Sequence, residues 1–358
     1  MSRCVSRVLP RWRSARVLSV ALIGLIGFAL AGAANTAAQA PADAPIRGYW
    51  VARTQLESPD AIRRALTTVQ AGAFNAVFVP LALSVAEPLP GFDGAREFIQ
   101  DARERGLRVH AWIDVNRVSP ADEIPASSNH IVYQHPEWLM VPRALAPELL
   151  AMDPRGPAYL GQLSRWTRTN RPRVDGLYLS PLDPDAMSYV VKAVGATVQR
   201  YSVDGVYLDA VRFPGNDFDY SRHALDLFRA AARARLTIAE RARVDEIEAI
   251  DPFGYPSELP DEWNAFRQGG LTALLSRLRA SIKVINPRLT VTANIAVDDA
   301  SAREEQFQDW PAWIAERLID GIGRLNGAGT QILLAPDGLL PEAPALPAVQ
   351  SSGIGGSR

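Results

Sequence analysis

Cysteine is almost absent from this chain of 358 residues, and the only one, Cys4, lies close to the N-terminus. It precedes an apolar segment over residues 17–31, so it cannot be the cysteine of a lipoprotein signal, which follows such a segment. If the leader is removed, the mature chain has no cysteine, and its hydrophobic core alone must stabilise it. Residues 41–335, about 295 in number, are enough for one large α/β domain.

The first forty residues are not predicted to be part of the fold. Five arginines accompany the apolar segment, and the A-Q-A sequence at residues 38–40 matches the A-x-A pattern that signal peptidase cleaves. We therefore predict a signal peptide over residues 1–40 and export to the periplasm or the medium. A retained N-terminal anchor is the alternative, because an apolar run of about 15 residues is only slightly short for a membrane span.

Lysine is also scarce, since it occurs only at Lys192 and Lys283. The leader carries five arginines and no acidic residue, so the rest of the chain holds 33 basic and 39 acidic residues. The mature chain thus has a net negative charge and no basic stripe. This balance argues against nucleic acid as a partner.

Motifs for metal, phosphate and serine chemistry are missing as well. The four histidines do not show the H-E-x-x-H spacing of a zinc site; they are His110, His130, His135 and His223. The sequence also contains no glycine-rich phosphate loop and no G-x-S-x-G elbow. We therefore predict no metal and no cofactor.

From residue 46 onward, short apolar segments alternate with amphipathic ones. Strands are predicted at residues 48–52, 76–81, 108–115, 176–180, 205–211, 289–297 and 319–325. Helices between them include residues 59–71, 94–105 and 184–201. Regular alternation of strand and helix indicates an α/β protein with a parallel sheet, and seven units in about 280 residues favour a (β/α)8 TIM-type barrel.

The end of this barrel, predicted over residues 41–335, is short. Residues 332–334 form a candidate last strand, but no room remains for a helix before it, so the last βα unit is minimal or incomplete. Residues 336–358 are rich in Pro, Ala, Gly and Ser, and we predict a disordered tail.

A repeated segment gives a local clue to the strand order. V-D-G-L-Y-L-S at residues 174–180 is followed 29 residues later by V-D-G-V-Y-L-D at residues 203–209. This spacing fits one strand, one helix and two turns, which predicts two neighbouring barrel strands. Asp175 and Asp204 would then lie at the N-terminal ends of their strands and cap turns, whereas Ser180 and Asp209 would lie at the C-terminal ends.

Asp209 is the principal candidate for chemistry. Strand alternation places Gly205, Tyr207 and Asp209 on one face, and catalytic groups of such barrels lie at the C-terminal ends of strands. A structural ion pair with Arg212 is the alternative reading of this carboxylate. The long connections at residues 116–173 and 212–261 follow strands and belong to the same end of the barrel.

Acid–base chemistry at Asp209 would use a second carboxyl group. Asp114 ranks first, because it lies at a strand end and shares a face with Trp112. The other acidic candidates are more simply explained as solvated or capping residues; they are Glu137, Asp298 and Asp299. Candidate substrate contacts are aromatic rings and Arg, His or Asn side chains, namely Arg47, Trp50, His110, Trp112, Arg212 and Asn294.

The segment D-G-V-Y-L-D-A-V-R-F-P at residues 204–214 resembles the D-G-[IV]-x-x-D-x-x-R-[YF]-P segment of the glycosylhydrolase-like family 10 proteins. Other segments agree with the family in the same order: R-G-Y-W-V from residue 47, R-G-L-R-V-H-A-W from 105, H-P-E-W-L from 135, L-S-P-L-D-P from 179 and D-W at 309. The sequence departs from the family where G-R-L-N-G at residues 323–327 replaces an M-N-Y-like segment. The resemblance implies a (β/α)8 fold and cleavage of bacterial polysaccharides, including peptidoglycan glycan strands.

The first hypothesis is therefore a glycoside hydrolase acting on a bacterial envelope polysaccharide. In it, Asp209 is the nucleophile or base, Asp114 is the candidate acid, and Arg212 orients or neutralises Asp209. The second hypothesis is a non-catalytic barrel that binds envelope glycan. A third is a truncated gene product that folds poorly.

Overall fold

The computed structural model describes residues 46–81, 91–296, 298–326 and 329–334. The predicted signal peptide and the predicted disordered tail lie outside these described residues. Within them, no helix is long and apolar enough to cross a membrane.

The described part of the chain contains nine β-strands. They are β1 (Gly48–Trp50), β2 (Ala76–Pro80), β3 (Arg108–Asp114), β4 (Arg117–Pro120), β5 (Gly176–Tyr178), β6 (Gly205–Asp209), β7 (Thr290–Asn294), β8 (Gly321–Asn326) and β9 (Gly329–Leu334).

Seven of these strands form one sheet in the order β1-β2-β3-β6-β7-β8-β9. All neighbours from β1 to β8 are parallel, and β9 turns back to pair antiparallel with β8. Strand β9 also contacts β1, so the sheet curls back toward its first strand. The fold is a TIM-type (β/α) barrel, and in the described residues its last strand is the antiparallel β9, which contains the candidate strand at residues 332–334.

The strand predicted at residues 176–180 does not belong to the barrel. Strand β5 pairs antiparallel with β4 in a separate two-stranded sheet, and β3 pairs directly with β6. The prediction that the two V-D-G segments form neighbouring barrel strands is therefore wrong. Both segments have the local pattern of an apolar strand that begins after Asp-Gly, but a local pattern does not determine the pairing partner.

Eleven α-helices occur in the described residues. They are α1 (Pro59–Ala71), α2 (Gly94–Glu104), α3 (Ile131–Gln134), α4 (Ala146–Leu150), α5 (Pro157–Thr169), α6 (Pro184–Arg200), α7 (Arg222–Arg233), α8 (Ile238–Glu248), α9 (Gly254–Glu258), α10 (Pro260–Ile285) and α11 (Trp310–Ala315). Short 3₁₀ turns cover Arg53–Leu56 and Pro136–Trp138.

The predicted starts of α1 and α6 are confirmed by their caps. The hydroxyl of Ser58 accepts a 3.3 Å hydrogen bond from the amide of Ala61. The carboxylate of Asp183 accepts bonds of 2.9 Å from the amides of Asp185 and Ala186. Proline follows each cap at the first helical position, where its missing N–H costs nothing.

The C-terminal end of α1 has alanine in the position where glycine is usual. Gly72 has a φ of −81°, and Ala73 adopts the left-handed conformation with a φ of 51°. The amide of Ala73 bonds to the carbonyl of Gln70, and the amide of Phe74 bonds to that of Val69. This is a Schellman ending with alanine where glycine is usual. After α2, Gly106 adopts a positive φ of 73°.

The barrel interior is filled with aromatic rings. Trp50 stacks on Phe78 with a centroid distance of 4.3 Å, and Tyr207 meets both rings edge-on. Two glycines make room for this packing. A Cβ atom would lie 2.5 Å from Nδ1 of His110 if placed on Gly205, and 2.5 Å from the ring of Tyr207 if placed on Gly323. The opposite face of the sheet packs on the helices through its aliphatic residues.

Candidate active site

Asp209 ends β6, and its carboxylate is held by three donors. The indole Nε1 of Trp112 donates to Oδ2 at 2.9 Å. The amide Nδ2 of Asn294 donates to Oδ1 at 2.8 Å, and the backbone N–H of Ala210 donates to the same oxygen at 2.7 Å. Hydrogen bonds to a charged acceptor are stronger than neutral ones, so this set fixes the orientation of the carboxylate.

The backbone after Asp209 is in an unusual conformation. Ala210 has a φ of 52°, in the left-handed region that residues with a Cβ atom rarely adopt. This turn directs the Ala210 N–H back to the Asp209 carboxylate. Strained backbone of this kind is often found where a side chain must be placed for function.

Asp114 ends β3 directly beside Asp209. The parallel register pairs the two residues, as it pairs Trp112 with Tyr207 two positions earlier. Side chains at paired positions of neighbouring strands lie on the same face, about 4.8 Å apart. The sequence prediction that two carboxyl groups share the C-terminal end of the barrel therefore has a direct geometric counterpart.

The two carboxyl groups have different surroundings. Oδ2 of Asp114 accepts bonds from Nη2 and Nε of Arg117, at 2.8 and 3.2 Å. Oδ1 is buried and has no hydrogen-bond partner among the described residues. Burial raises the pKa of Asp114, and the nearby charge of Asp209 adds to this, while Arg117 and Arg53 only partly oppose it. Asp114 is thus the carboxyl group that holds a proton more readily than an ordinary aspartate.

The structure does not place Arg212 on Asp209. Its Nη2 donates to Oδ2 of Asp175 at 2.8 Å, and its guanidinium lies 5.1 Å from the ring centroid of Tyr178. The roles predicted for Arg212, orienting or neutralising Asp209, have no direct contact to support them. The side chain turns instead toward the two-stranded β4–β5 sheet, which covers this end of the barrel.

Asp175 is the residue that the sequence analysis misplaced. It was predicted to cap a turn at the N-terminal end of a barrel strand, but it precedes β5 and contacts Arg117 and Arg212. Because β5 runs antiparallel to β4 and lies outside the barrel sheet, the residue before it, Asp175, reaches the C-terminal end of the barrel. Asp204, in contrast, does bind the N-terminal end, where it accepts a bond from the amide of Val109.

The candidate substrate contacts separate into two groups. Trp112 and Asn294 bond to Asp209, and Trp50 contacts Trp112 edge-on with a centroid distance of 4.9 Å. His110 is 2% exposed and packs inside the barrel on Phe78. Arg47 precedes β1 at the opposite end of the sheet, where its backbone bonds to Asn75.

The remaining acidic candidates lie apart from this pair. Glu137 contacts His135 at 3.1 Å and Arg155 at 3.4 Å in the loop after α3. Asp298 is exposed and accepts a bond from the amide of Ser301, so it caps a turn as expected. Asp299 is exposed as well.

Two depressions flank the carboxyl groups. One of about 450 Å³ is lined by Asp114, Arg117, Arg53, His130 and Tyr189, among others. The other, of about 410 Å³, is lined by residues that include Asn294, Arg212, Asp175, Arg171 and Arg173. Both volumes fall within the range of about 300–1,000 Å³ that is usual for ligand pockets. A larger groove of about 870 Å³ lies between α6, α7 and α10 and contains neither Asp114 nor Asp209.

A TIM-type barrel with paired carboxyl groups at the C-terminal ends of neighbouring strands is the architecture of a glycoside hydrolase-like protein. The model of the glycosyl hydrolase-like 10 family matches residues 144–324, about half of the chain. The chain belongs to this family, which confirms the resemblance noted in the sequence.

Two relatives illustrate the similarity. Over 250 residues the chain is 24% identical to the glycosyl hydrolase DigH of Escherichia coli K12, a match that covers 65% of this chain and 46% of DigH. Over 149 residues it is 25% identical to the glycosyl hydrolase YngK of Bacillus subtilis 168, covering 39% of this chain and 23% of YngK. The chain therefore spans less than half the length of these relatives.

Solved structures support the fold. The GH42 β-galactosidase Gan42B from G. stearothermophilus matches with a TM-score of 0.52 at 14% identity, covering 79% of this chain and 40% of that one. A β-galactosidase from Rahnella sp. R3 matches with a TM-score of 0.51 at 17% identity, with coverages of 79% and 39%. At such low identity these matches bear on the barrel fold alone.

Proposed function

We propose that the protein is a glycoside hydrolase that cleaves a bacterial envelope polysaccharide with Asp114 and Asp209. The observation that carries this proposal is the register pairing of the two residues at the ends of β3 and β6. Two carboxyl groups with unequal surroundings are what glycosidic bond cleavage requires, one as proton donor and one as nucleophile or base.

Asp114 is the proposed general acid. Its raised pKa favours the protonated form, and the buried Oδ1, which has no partner among the described residues, favours it further because an unpaired buried oxygen disfavours the charged carboxylate. Asp209 is the proposed nucleophile or base, because three donors hold its oxygens in place from behind.

The envelope glycan and the exported location are parts of the same proposal. The basic and apolar leader with its A-x-A sequence supports export. Two relatives are named glycosyl hydrolases, which supports a glycan substrate. N-terminal sequencing of the periplasmic or secreted protein tests the export, since cleavage after Ala40 is expected.

The direct test of the activity is zymography on peptidoglycan and on exopolysaccharide. We expect clearing and new reducing ends with the wild type, and a loss of at least about 100-fold with Asp209→Asn and with Asp114→Asn. Asp122→Asn is the matched control, because Asp122 is exposed and contacts only Arg171 among its described ion pairs. Equal cleavage by wild type and Asp209→Asn would remove Asp209 from the mechanism.

The same experiment tests the alternative of a glycan-binding barrel. If the wild type binds glycan without releasing reducing ends, and Asp209→Asn binds equally well, the binding function replaces the hydrolytic one. NMR of the first anomer released by the active protein then reports whether configuration is retained.

A further inference from the structure

Four charged side chains form a chain of contacts across the C-terminal end of the barrel. Arg117 donates to Asp114 through Nη2 at 2.8 Å and to Oδ2 of Asp175 through Nη1 at 2.7 Å. Arg212 donates to the same Oδ2 of Asp175 at 2.8 Å, and the hydroxyl of Tyr178 donates to Oδ1 at 2.7 Å. Each oxygen of Asp175 is therefore committed to a donor, and one of these donors is the residue that holds Asp114.

These contacts are partly withdrawn from water. The side chains of Asp114, Arg117 and Arg212 are 28%, 27% and 21% exposed, and that of Asp175 is 42% exposed. Burial opposes ionisation of Asp175, but Arg212, the Tyr178 hydroxyl and Arg117 together outweigh it and hold the pKa of Asp175 below its ordinary value. Asp175 is thus a fixed negative charge, and interactions at this depth are screened less than those of surface pairs.

We propose that Asp175 is a positioning residue for the candidate acid Asp114, and that it acts through Arg117. Asp175 accepts a hydrogen bond from Nη1 of Arg117, so only Nε and Nη2 of this guanidinium reach Asp114. Both of these nitrogens donate to Oδ2 of Asp114. Oδ1 of Asp114 is left buried without a partner among the described residues, which disfavours the ionised carboxylate and favours the protonated acid. The acid role of Asp114 rests on the proposed function, whereas the contacts themselves do not.

These contacts determine whether the pKa of Asp114 falls or rises when Asp175 or Arg212 is substituted. Without the charge of Asp175, Arg117 pairs with Asp114 alone, and the pKa of Asp114 falls. Without Arg212, Asp175 interacts more strongly with Arg117. Arg117 then stabilises the Asp114 carboxylate less, and the pKa of Asp114 rises. The other charges facing Asp114 are Asp209 and Arg53, which both substitutions leave unchanged.

The test is the pKa of Asp114, measured by NMR titration of the ¹³C-labelled carboxyl group in the full mature chain. In Asp175→Asn we expect a fall of about one pH unit, which is the size expected for one charge several ångströms away at an intermediate dielectric. The asparagine oxygen can still accept from Tyr178, so the fold should be kept. In Arg212→Gln we expect a rise of a few tenths of a pH unit, and in the control Asp122→Asn almost no change.

A second measurement separates positioning from the direct field of Asp175. In an Arg117→Gln background, the fall caused by Asp175→Asn should shrink to less than half. A full shift in that background, or equal signs for Asp175→Asn and Arg212→Gln, would overturn the proposal, as would an unchanged Asp114 pKa in a folded Asp175→Asn protein.

Activity gives an independent readout. If a glycan is cleaved, the basic limb of the pH–rate profile should move to lower pH in Asp175→Asn, as the pKa of the acid does. If the wild type cleaves none, the proposed hydrolysis fails while the NMR titration still decides the coupling of Asp175 to Asp114.

Discussion

The indole nitrogen of Trp112 donates a 2.9 Å hydrogen bond to Oδ2 of Asp209. The two residues lie on neighbouring strands, and Trp112 is two positions before Asp114 on β3. One indole therefore connects the packed aromatic interior of the barrel with one carboxyl group and stands directly below the other.

Trp112→Phe keeps an aromatic ring but removes this donor. A hydrogen bond to a charged acceptor contributes about 1.5–3 kcal/mol, so we expect kcat to fall roughly 10- to 100-fold with a smaller change in Tm. Trp263→Phe is the matched control, because Trp263 is a buried tryptophan on α10 and not on a barrel strand. Its indole nitrogen has no hydrogen-bond partner in the described residues, so kcat should stay within about threefold of wild type. Equal losses in both variants would mean that ring volume, and not the donor, matters.

Asn294 offers a test of charge beside Asp209. Asn294→Asp replaces the donor at 2.8 Å by a second carboxylate, and two like charges at this distance repel each other unless they share a proton. We expect activity at neutral pH to be lost at least tenfold and to recover partly as the pH falls. Asn294→Ala should lose activity without that recovery. A pH–rate profile of each variant measures the difference.

The C-terminal ends of the barrel strands could be predicted from sequence alone. Alternation along β3 and β6 placed Asp114 and Asp209 on the interior-facing side. Because the two strands are parallel, their C-terminal ends lie side by side, and the two carboxyl groups come together there. Trp112 and Asn294 were expected near the site for the same reason, and both bond to Asp209.

Pairing between distant segments could not be predicted in this way. The V-D-G repeat suggested that Asp175 and Asp204 occupy equivalent positions, but β5 pairs with β4 and not with β6. A repeat of seven residues encodes strand propensity and turn chemistry, and both segments do form strands. The strand with which each segment pairs depends on tertiary packing. The contacts of Arg117 and Arg212 with Asp175 depend on that pairing and could therefore not be predicted from the sequence.

His110 makes the stability of the fold depend on pH. Burial, with the nearby charge of Arg108, lowers its pKa from 6.5 to about 4, and Asp204 only partly opposes this. The unfolded chain therefore binds a proton on His110 at a higher pH than the folded protein does. Stability from this group is present above pH 6.5 and is lost as the pH falls toward 4, by up to about 3 kcal/mol.

Urea unfolding at a series of pH values measures this effect. In His110→Gln, the decline in the free energy of unfolding between pH 6.5 and 4 should be smaller than in the wild type by about that amount. His223→Gln, which replaces a histidine on α7 with a 46% exposed side chain, should follow the wild type. A decline of equal steepness in all three proteins would contradict the assignment.

Ala73 is a site where the fold can be stabilised without touching the carboxyl groups. It is exposed, and its φ of 51° is a conformation that glycine adopts without the Cβ penalty of about 1–2 kcal/mol. Because glycine also gains freedom in the unfolded chain, the net gain expected for Ala73→Gly is about 0.5–1 kcal/mol. The matched control is Ala71→Gly, two residues earlier and also exposed, which is the last residue of α1. There the same substitution should cost up to about 1 kcal/mol, because the helical conformation needs no glycine. Opposite signs of the change in urea midpoint for the two variants would confirm that Ala73, and not Gly72, occupies the left-handed position at the end of α1.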